Sequence, residues 1–200
     1  MDEIYNQKYF KTRSGFPRFF RKLFLYPRIF KLVNPKKGEK ILEIGCERGE
    51  LIKLLNKYTS EVIGIDVNKE AISFTKIKNL FWMNAEKLDF PDAFFDKIVS
   101  SHTIEHIPNL NRFFSEIERV LKPAGKCILI YPAEPFRGWA AIANAWDVFR
   151  NPFLAGKIHL HRLWPAKLKK ITRMKIIKKG IFFRPIALDF YTIFQKAASE

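Results

Sequence analysis

Apolar and polar positions change period along this chain in a regular way. Ile41-Leu42-Glu43-Ile44-Gly45 is a short apolar run ending at a glycine, after which Leu51, Ile52, Leu54 and Leu55 recur at helical spacing. That switch predicts a buried strand over 41–45, a tight turn and a helix over 49–58. The pattern then repeats. Residues 61–66 read as a second strand, 69–76 as a helix, 79–83 as a third strand and 96–101 as a fourth. Residues 110–121 carry Phe113, Phe114, Ile117, Val120 and Leu121 on one helical face. Lys122-Pro123-Ala124-Gly125 stops that helix before a fifth strand over 126–131. Strands alternating with helices at this spacing specify an α/β fold: a doubly wound, mostly parallel sheet covered on both faces.

Both ends of the chain depart from this rhythm. Residues 4–33 read as helical and aromatic, with Tyr9, Phe10, Phe16, Phe19, Phe20, Phe24, Tyr26 and Phe30 interleaved with arginine and lysine. Pro17 and Pro27 divide that stretch into short pieces. Residues 136–155, rich in Trp, Ala and Phe, read as a helical insertion that runs on to about 164, and Pro165 is suited to open a helix over 165–173. Two further strands are expected over 174–183 and 189–196. The link between them is too short for a crossover helix, so they pair antiparallel. The expected organisation is an N-terminal helical lid over 1–38 and one domain over 39–200 that contains the insertion.

Charge sharpens the contrast between centre and ends. The net charge is +16, yet residues 41–136 hold 12 Lys/Arg against 14 Asp/Glu. Residues 1–40 hold 11 against 3, and residues 137–200 hold 13 against 3. Such flanks either lie solvated or face an anionic partner, a membrane surface or nucleic acid among them. The first segment can lie in a membrane interface or pack its aromatic face on the domain, which is the commoner fate. Cys46 and Cys127 are too few for a disulfide scaffold or a cysteine zinc site. The acidic start, Met1-Asp2-Glu3, lacks the layout of a secretion signal, so a cytoplasmic protein is expected.

Candidate chemistry sits where the predicted strands end: Gly45, Asp66, Asn84, Ser101, Pro132 and Glu134. In open α/β sheets ligands bind beyond the carboxyl ends of the strands. A glycine turn there leaves backbone N–H groups open to a ligand, and an acid at the end of the second strand can take two ribose hydroxyls or merely cap the next helix.

Five segments together resemble the class I S-adenosylmethionine-dependent methyltransferases, particularly their small-molecule and quinone or lipid branch. They are Ile41-Leu42-Glu43-Ile44-Gly45-Cys46-Glu47-Arg48-Gly49, Val62-Ile63-Gly64-Ile65-Asp66, Asn84-Ala85-Glu86-Lys87-Leu88-Asp89-Phe90, the run from Phe95 to Ile107, and Glu118-Arg119-Val120-Leu121-Lys122-Pro123-Ala124-Gly125-Lys126. The resemblance implies a seven-stranded Rossmann-like sheet with an antiparallel C-terminal strand. It also implies S-adenosylmethionine as cofactor and a small hydrophobic or anionic methyl acceptor. On that reading Glu43, Gly45, Cys46, Glu47 and Gly49 surround the methionine tail, Asp66 and Val67 the ribose, Asn84, Ala85 and Glu86 the adenine, and Ser101 and His102 the methyl end. Glu47 stands where the family usually has a small residue, and Ala124 where it has glycine.

Methyl transfer from a sulfonium needs alignment first, and a base only if the acceptor must lose a proton. His102 is the expected base, among His106, Tyr131, Glu134, His159 and His161 as alternatives. No metal ligand set is expected, since His159 and His161 have no further ligands that the sequence can assign. RNA methylation and a non-catalytic binding domain stand as the competing readings.

Overall fold

β1 (Ile41–Ile44) is buried along its whole length, because parallel neighbours occupy both its edges and helices cover both its faces. The computed structural model describes residues 19, 21–59, 61–133, 159–184 and 187–198. A π-helical turn (Arg21–Leu25) runs into α1 (Tyr26–Val33), where Pro27 sits in the first turn and its missing N–H interrupts nothing. After β1 come α2 (Glu50–Leu55), β2 (Val62–Asp66), α3 (Lys69–Ser73), β3 (Leu80–Trp82) and β4 (Phe95–Ser101). A 3-10 turn (Ile104–His106) leads to α4 (Leu110–Val120) and β5 (Leu121–Pro132). The chain closes with α5 (Pro165–Lys169), β6 (Lys175–Arg184) and β7 (Ala187–Gln195).

The strands form one seven-stranded sheet in the order β3-β2-β1-β4-β5-β7-β6. The first five run parallel, while β7 pairs antiparallel with both β5 and β6. The chain moves outward from β1 to β3 and then crosses to β4 on the other side of β1. The strand order therefore reverses between β1 and β4, and their carboxyl ends flank the crevice where this class of sheet takes its ligands.

Two apolar layers hold the sheet. On one face α4 buries Leu110, Phe113, Phe114, Ile117 and Val120 against Leu42, Ile98, Leu129 and Phe194. On the other, α1 and α2 bury Ile29, Val33, Leu51, Ile52 and Leu55 against Ile41, Val62, Val99 and Ile128. Among the described residues no helix is long and apolar enough to cross a membrane.

Element order and the final antiparallel pair follow the sequence pattern, while several boundaries move. The helices expected over 49–58 and 165–173 are shorter, at Glu50–Leu55 and Pro165–Lys169. β5 starts at Leu121 rather than Lys126, because Leu121 already pairs with Phe95 before the Pro123–Gly125 turn shifts the register. Ala124 adopts φ 59°, the left-handed conformation that explains why glycine suits that turn. Half of the expected lid, residues 1–18 and 20, lies outside the described residues, as do the insertion up to residue 158 and the candidate base Glu134.

Candidate functional site

The turn after β1 is built from left-handed residues. Gly45, Glu47 and Gly49 have φ of 79°, 47° and 72°. The N–H groups of Gly45 and Cys46 both donate to the Ile65 carbonyl, which fastens the turn to the end of β2. Gly45 allows no substitute, since a Cβ there would lie 1.9 Å from Thr103 Oγ1. The loops after β1 and β4 thus press directly on each other at the switch point. Cys46 packs into the core beside β2, and burial pushes its thiol well above the ordinary range, so it is no nucleophile.

Asp66 ends β2 with both carboxylate oxygens held. Oδ2 accepts the Glu47 N–H at 2.8 Å and Oδ1 accepts the Asn68 N–H at 2.8 Å. The helix-capping role that competes with ribose binding belongs to Asn68, whose Oδ1 accepts the Ala71 N–H. A carboxylate oxygen has two lone pairs, so each oxygen of Asp66 keeps one for a ligand. Burial raises the Asp66 carboxyl above its usual value, against the pull of those N–H groups.

The Glu47 side chain pairs with Arg21. Its Oε1 binds Arg21 Nη1 at 3.0 Å, tying the π-helical turn to the glycine loop, and Lys22 adds a 2.7 Å ion pair to Glu50. Burial works against the Arg21 cation, yet Glu47 chiefly, with Tyr26 and Glu43, holds it charged. Glu43 lies beneath the turn, and desolvation raises its carboxyl well above normal despite the nearby Arg21.

The loop after β3 is clamped from α4. Arg119 donates to the carbonyls of Leu88 and Phe90, at 2.7 Å each, and pairs with Asp92 and Glu116. Within that loop Ala85 is buried, Asn84 Oδ1 accepts the Glu86 N–H, and Glu86 Oε1 accepts the Asn109 N–H at the start of α4. Among the described residues no hydrogen bond uses the Asn84 amide N–H groups, whereas the Glu86 carboxylate serves the fold. Val67 is exposed beside Trp82, whose indole N–H donates to the Val67 carbonyl.

Ser101 is buried at the end of β4, and His102 follows at φ 56°. The ring of His102 lies between two buried acids, with Nε2 3.4 Å from Asp189 Oδ1 and Nδ1 3.7 Å from Glu105 Oε1. His106 and His159 also approach Glu105 Oε1, at 3.9 and 4.0 Å. Burial alone would raise the Glu105 carboxyl, but the three imidazoles outweigh it and lower it to about 2. Neither acid was singled out from sequence. Asp189 had a legible sign, being the one acid in an otherwise apolar and polar-neutral strand, Ala187–Gln195.

Two candidate bases are corrected. Tyr131 points into the core and shares a 2.8 Å hydrogen bond with Thr192, because strand alternation puts it on the α4 face. His161 Nε2 lies 2.8 Å from the Ile107 carbonyl and stands apart from the Glu105 cluster.

Comparison with known proteins places likenesses beside this geometry. Residues 42–129 match the methyltransferase-domain family, spanning β1 to β5 and so both loops at the switch point. That stretch carries the signature of a methyltransferase domain.

The domain is similar to the ubiquinone/menaquinone biosynthesis C-methyltransferase of Paraburkholderia phymatum, 28% identical over 58% of this chain and 51% of the relative. It is also similar to the ubiquinone biosynthesis O-methyltransferase of Bartonella bacilliformis, 29% identical over 76% of this chain and 66% of the relative. The chain thus spans about half to two thirds of the length of these curated relatives. A solved S-adenosylmethionine-dependent methyltransferase from Archaeoglobus fulgidus shares the fold, with a TM-score of 0.70 at 20% identity over 91% of this chain and all of that one.

Proposed function

We propose that the protein transfers a methyl group from S-adenosylmethionine to a small hydrophobic or anionic acceptor carrying an aromatic hydroxyl, as a quinol or its precursor does. One observation carries the reading: the Asp66 carboxylate, gripped by the N–H groups of Glu47 and Asn68 beside the glycine turn, keeps a lone pair on each oxygen for ribose. On this reading Gly45, Cys46 and Gly49 line the methionine tail, with Glu43 ordering the turn beneath. Val67 flanks the ribose, Asn84 and Ala85 face the adenine, and Ser101 and His102 meet the methyl end. The cofactor, when bound, supplies a methyl group on an already good leaving group. The chain's own work is then orientation, exclusion of water, and removal of the hydroxyl proton.

His102 is the base we assign. Asp189 beside its Nε2 favours the charged form it takes on accepting a proton. The part of residues 1–38 ahead of α1, with residues 136–164, acts as lid, and the basic side chains of these flanks bring the cytoplasmic protein to an anionic membrane surface where hydrophobic acceptors reside. The quinone names of the relatives support this acceptor class. The Glu47 side chain is paired with Arg21, so it has a structural partner of its own.

Calorimetric titration with S-adenosylmethionine tests the core of the proposal, and absence of binding by well-folded protein overturns it. Flotation with anionic and neutral vesicles tests the membrane part, which fails if the two behave alike.

A further inference from the structure

Glu105 is 1% exposed, and neither of its carboxylate oxygens has a hydrogen-bond partner among the described residues. An ionised carboxylate left so in a protein interior is costly unless a cation reaches it. Three imidazole nitrogens surround it, all nearest the same oxygen: His102 Nδ1 at 3.7 Å, His106 Nε2 at 3.9 Å and His159 Nε2 at 4.0 Å. These separations exceed a hydrogen bond. They suit groups arranged around a common centre.

The geometry points to a divalent transition-metal site of the zinc class, with Glu105, His106 and His159 as its ligands. The three ligand atoms lie within 4.8 Å of one another. Around zinc, bonds of about 2.0–2.2 Å put neighbouring ligands roughly 3.3–3.5 Å apart in a tetrahedron. Each histidine therefore needs to close on Glu105 by about half an ångström, and the widest pair of the set, up to 4.8 Å apart, by about 1.4 Å, which side-chain rotations supply. Two imidazoles and one carboxylate are a donor set for zinc or its first-row neighbours, whereas calcium and magnesium take oxygen.

The fold builds this convergence. Glu105 and His106 are adjacent on the 3-10 turn after β4, and the Glu105 carbonyl accepts the N–H groups of both Leu160 and His161. Those two bonds deliver His159 from a distant part of the chain to the Glu105 side chain. The His106 and His159 rings meet edge to face at 4.8 Å, side by side rather than opposed. Three protein ligands leave a fourth position of the ion for solvent or a substrate oxygen. His102 Nδ1 lies 3.7 Å from the same Glu105 oxygen, and its Nε2 faces Asp189 Oδ1 at 3.4 Å. The metal site is argued from these contacts alone and stands whether or not the methyl-transfer reading does.

The full chain, free of any histidine tag and stripped with chelator, is to be titrated with Zn²⁺ in competition with a chromophoric chelator. Co²⁺ absorption serves as an independent probe of coordination. One Zn²⁺ per chain is expected, with affinity falling more than about tenfold in both Glu105→Gln and His159→Gln, and Co²⁺ showing the intense visible bands of a low-coordinate ion. Circular dichroism of the metal-free proteins checks that they fold. If Glu105→Gln does not fold, His106→Gln, on the more open side of the cluster, takes its place. Failure of wild-type protein to hold stoichiometric Zn²⁺, or equal affinity in the folded variants, overturns the site.

Discussion

The backbone N–H of Glu47 is bonded to the carboxylate of Asp66 at 2.8 Å, so the turn after β1 and the end of β2 are held as one wall. The contact uses the Glu47 main chain, while its side chain reaches the opposite way to Arg21. The acid in the glycine turn is thus held by an ion pair of its own.

Asp66→Ala removes the anchor of that wall and the group we assign to ribose. Cofactor affinity is expected to fall by roughly 1.5–3 kcal/mol, the scale of hydrogen bonds to a charged group. Isothermal titration of wild type and variant measures it.

Glu47→Gln keeps the left-handed backbone and the bond to Asp66 but removes the charge facing Arg21. The expected result is near-normal cofactor affinity with faster hydrogen exchange across Arg21–Leu25. A loss of affinity with unchanged exchange would make Glu47 a direct cofactor contact instead.

Gly45→Ala meets Thr103 at 1.9 Å and forces alanine to φ 79°. Overpacking and left-handed strain together predict a loss of about 2–4 kcal/mol in urea denaturation. Adding Thr103→Gly should return the overpacking part and leave the backbone part, which a double-mutant cycle separates.

Arg119 holds the loop after β3, and Glu116 holds Arg119 through two hydrogen bonds. Those bonds keep the Glu116 carboxyl below its usual value, against a weaker opposing effect of burial. A depressed folded-state value means stability that is present above about 4.3 and lost as the pH falls through the folded value. The stability gap between wild type and Glu116→Gln, present at neutral pH, should therefore close in denaturation curves taken below about pH 4. Arg119→Ala should cost about 1–3 kcal/mol and weaken cofactor binding by loosening the loop.

What could be read from the chain alone is what depends on local order. Alternating runs such as Ile41–Ile44 and Val62–Asp66 announced parallel strands, and the linker before Asp189 was too short for anything but an antiparallel turn. The glycine turn and Asp66 were legible because a tight turn at a strand end constrains residue type within a few positions. Tyr131 was misjudged at this level, since which face of β5 is buried depends on where α4 packs. The environment of His102 was beyond it altogether. Glu105 lies three residues from His102, Asp189 arrives on the antiparallel strand beside β5, and His159 returns from beyond the insertion. Bringing charges from such distances to one buried point requires the completed sheet, because only its burial of the surrounding apolar layers offsets the desolvation of two carboxylates at its edge.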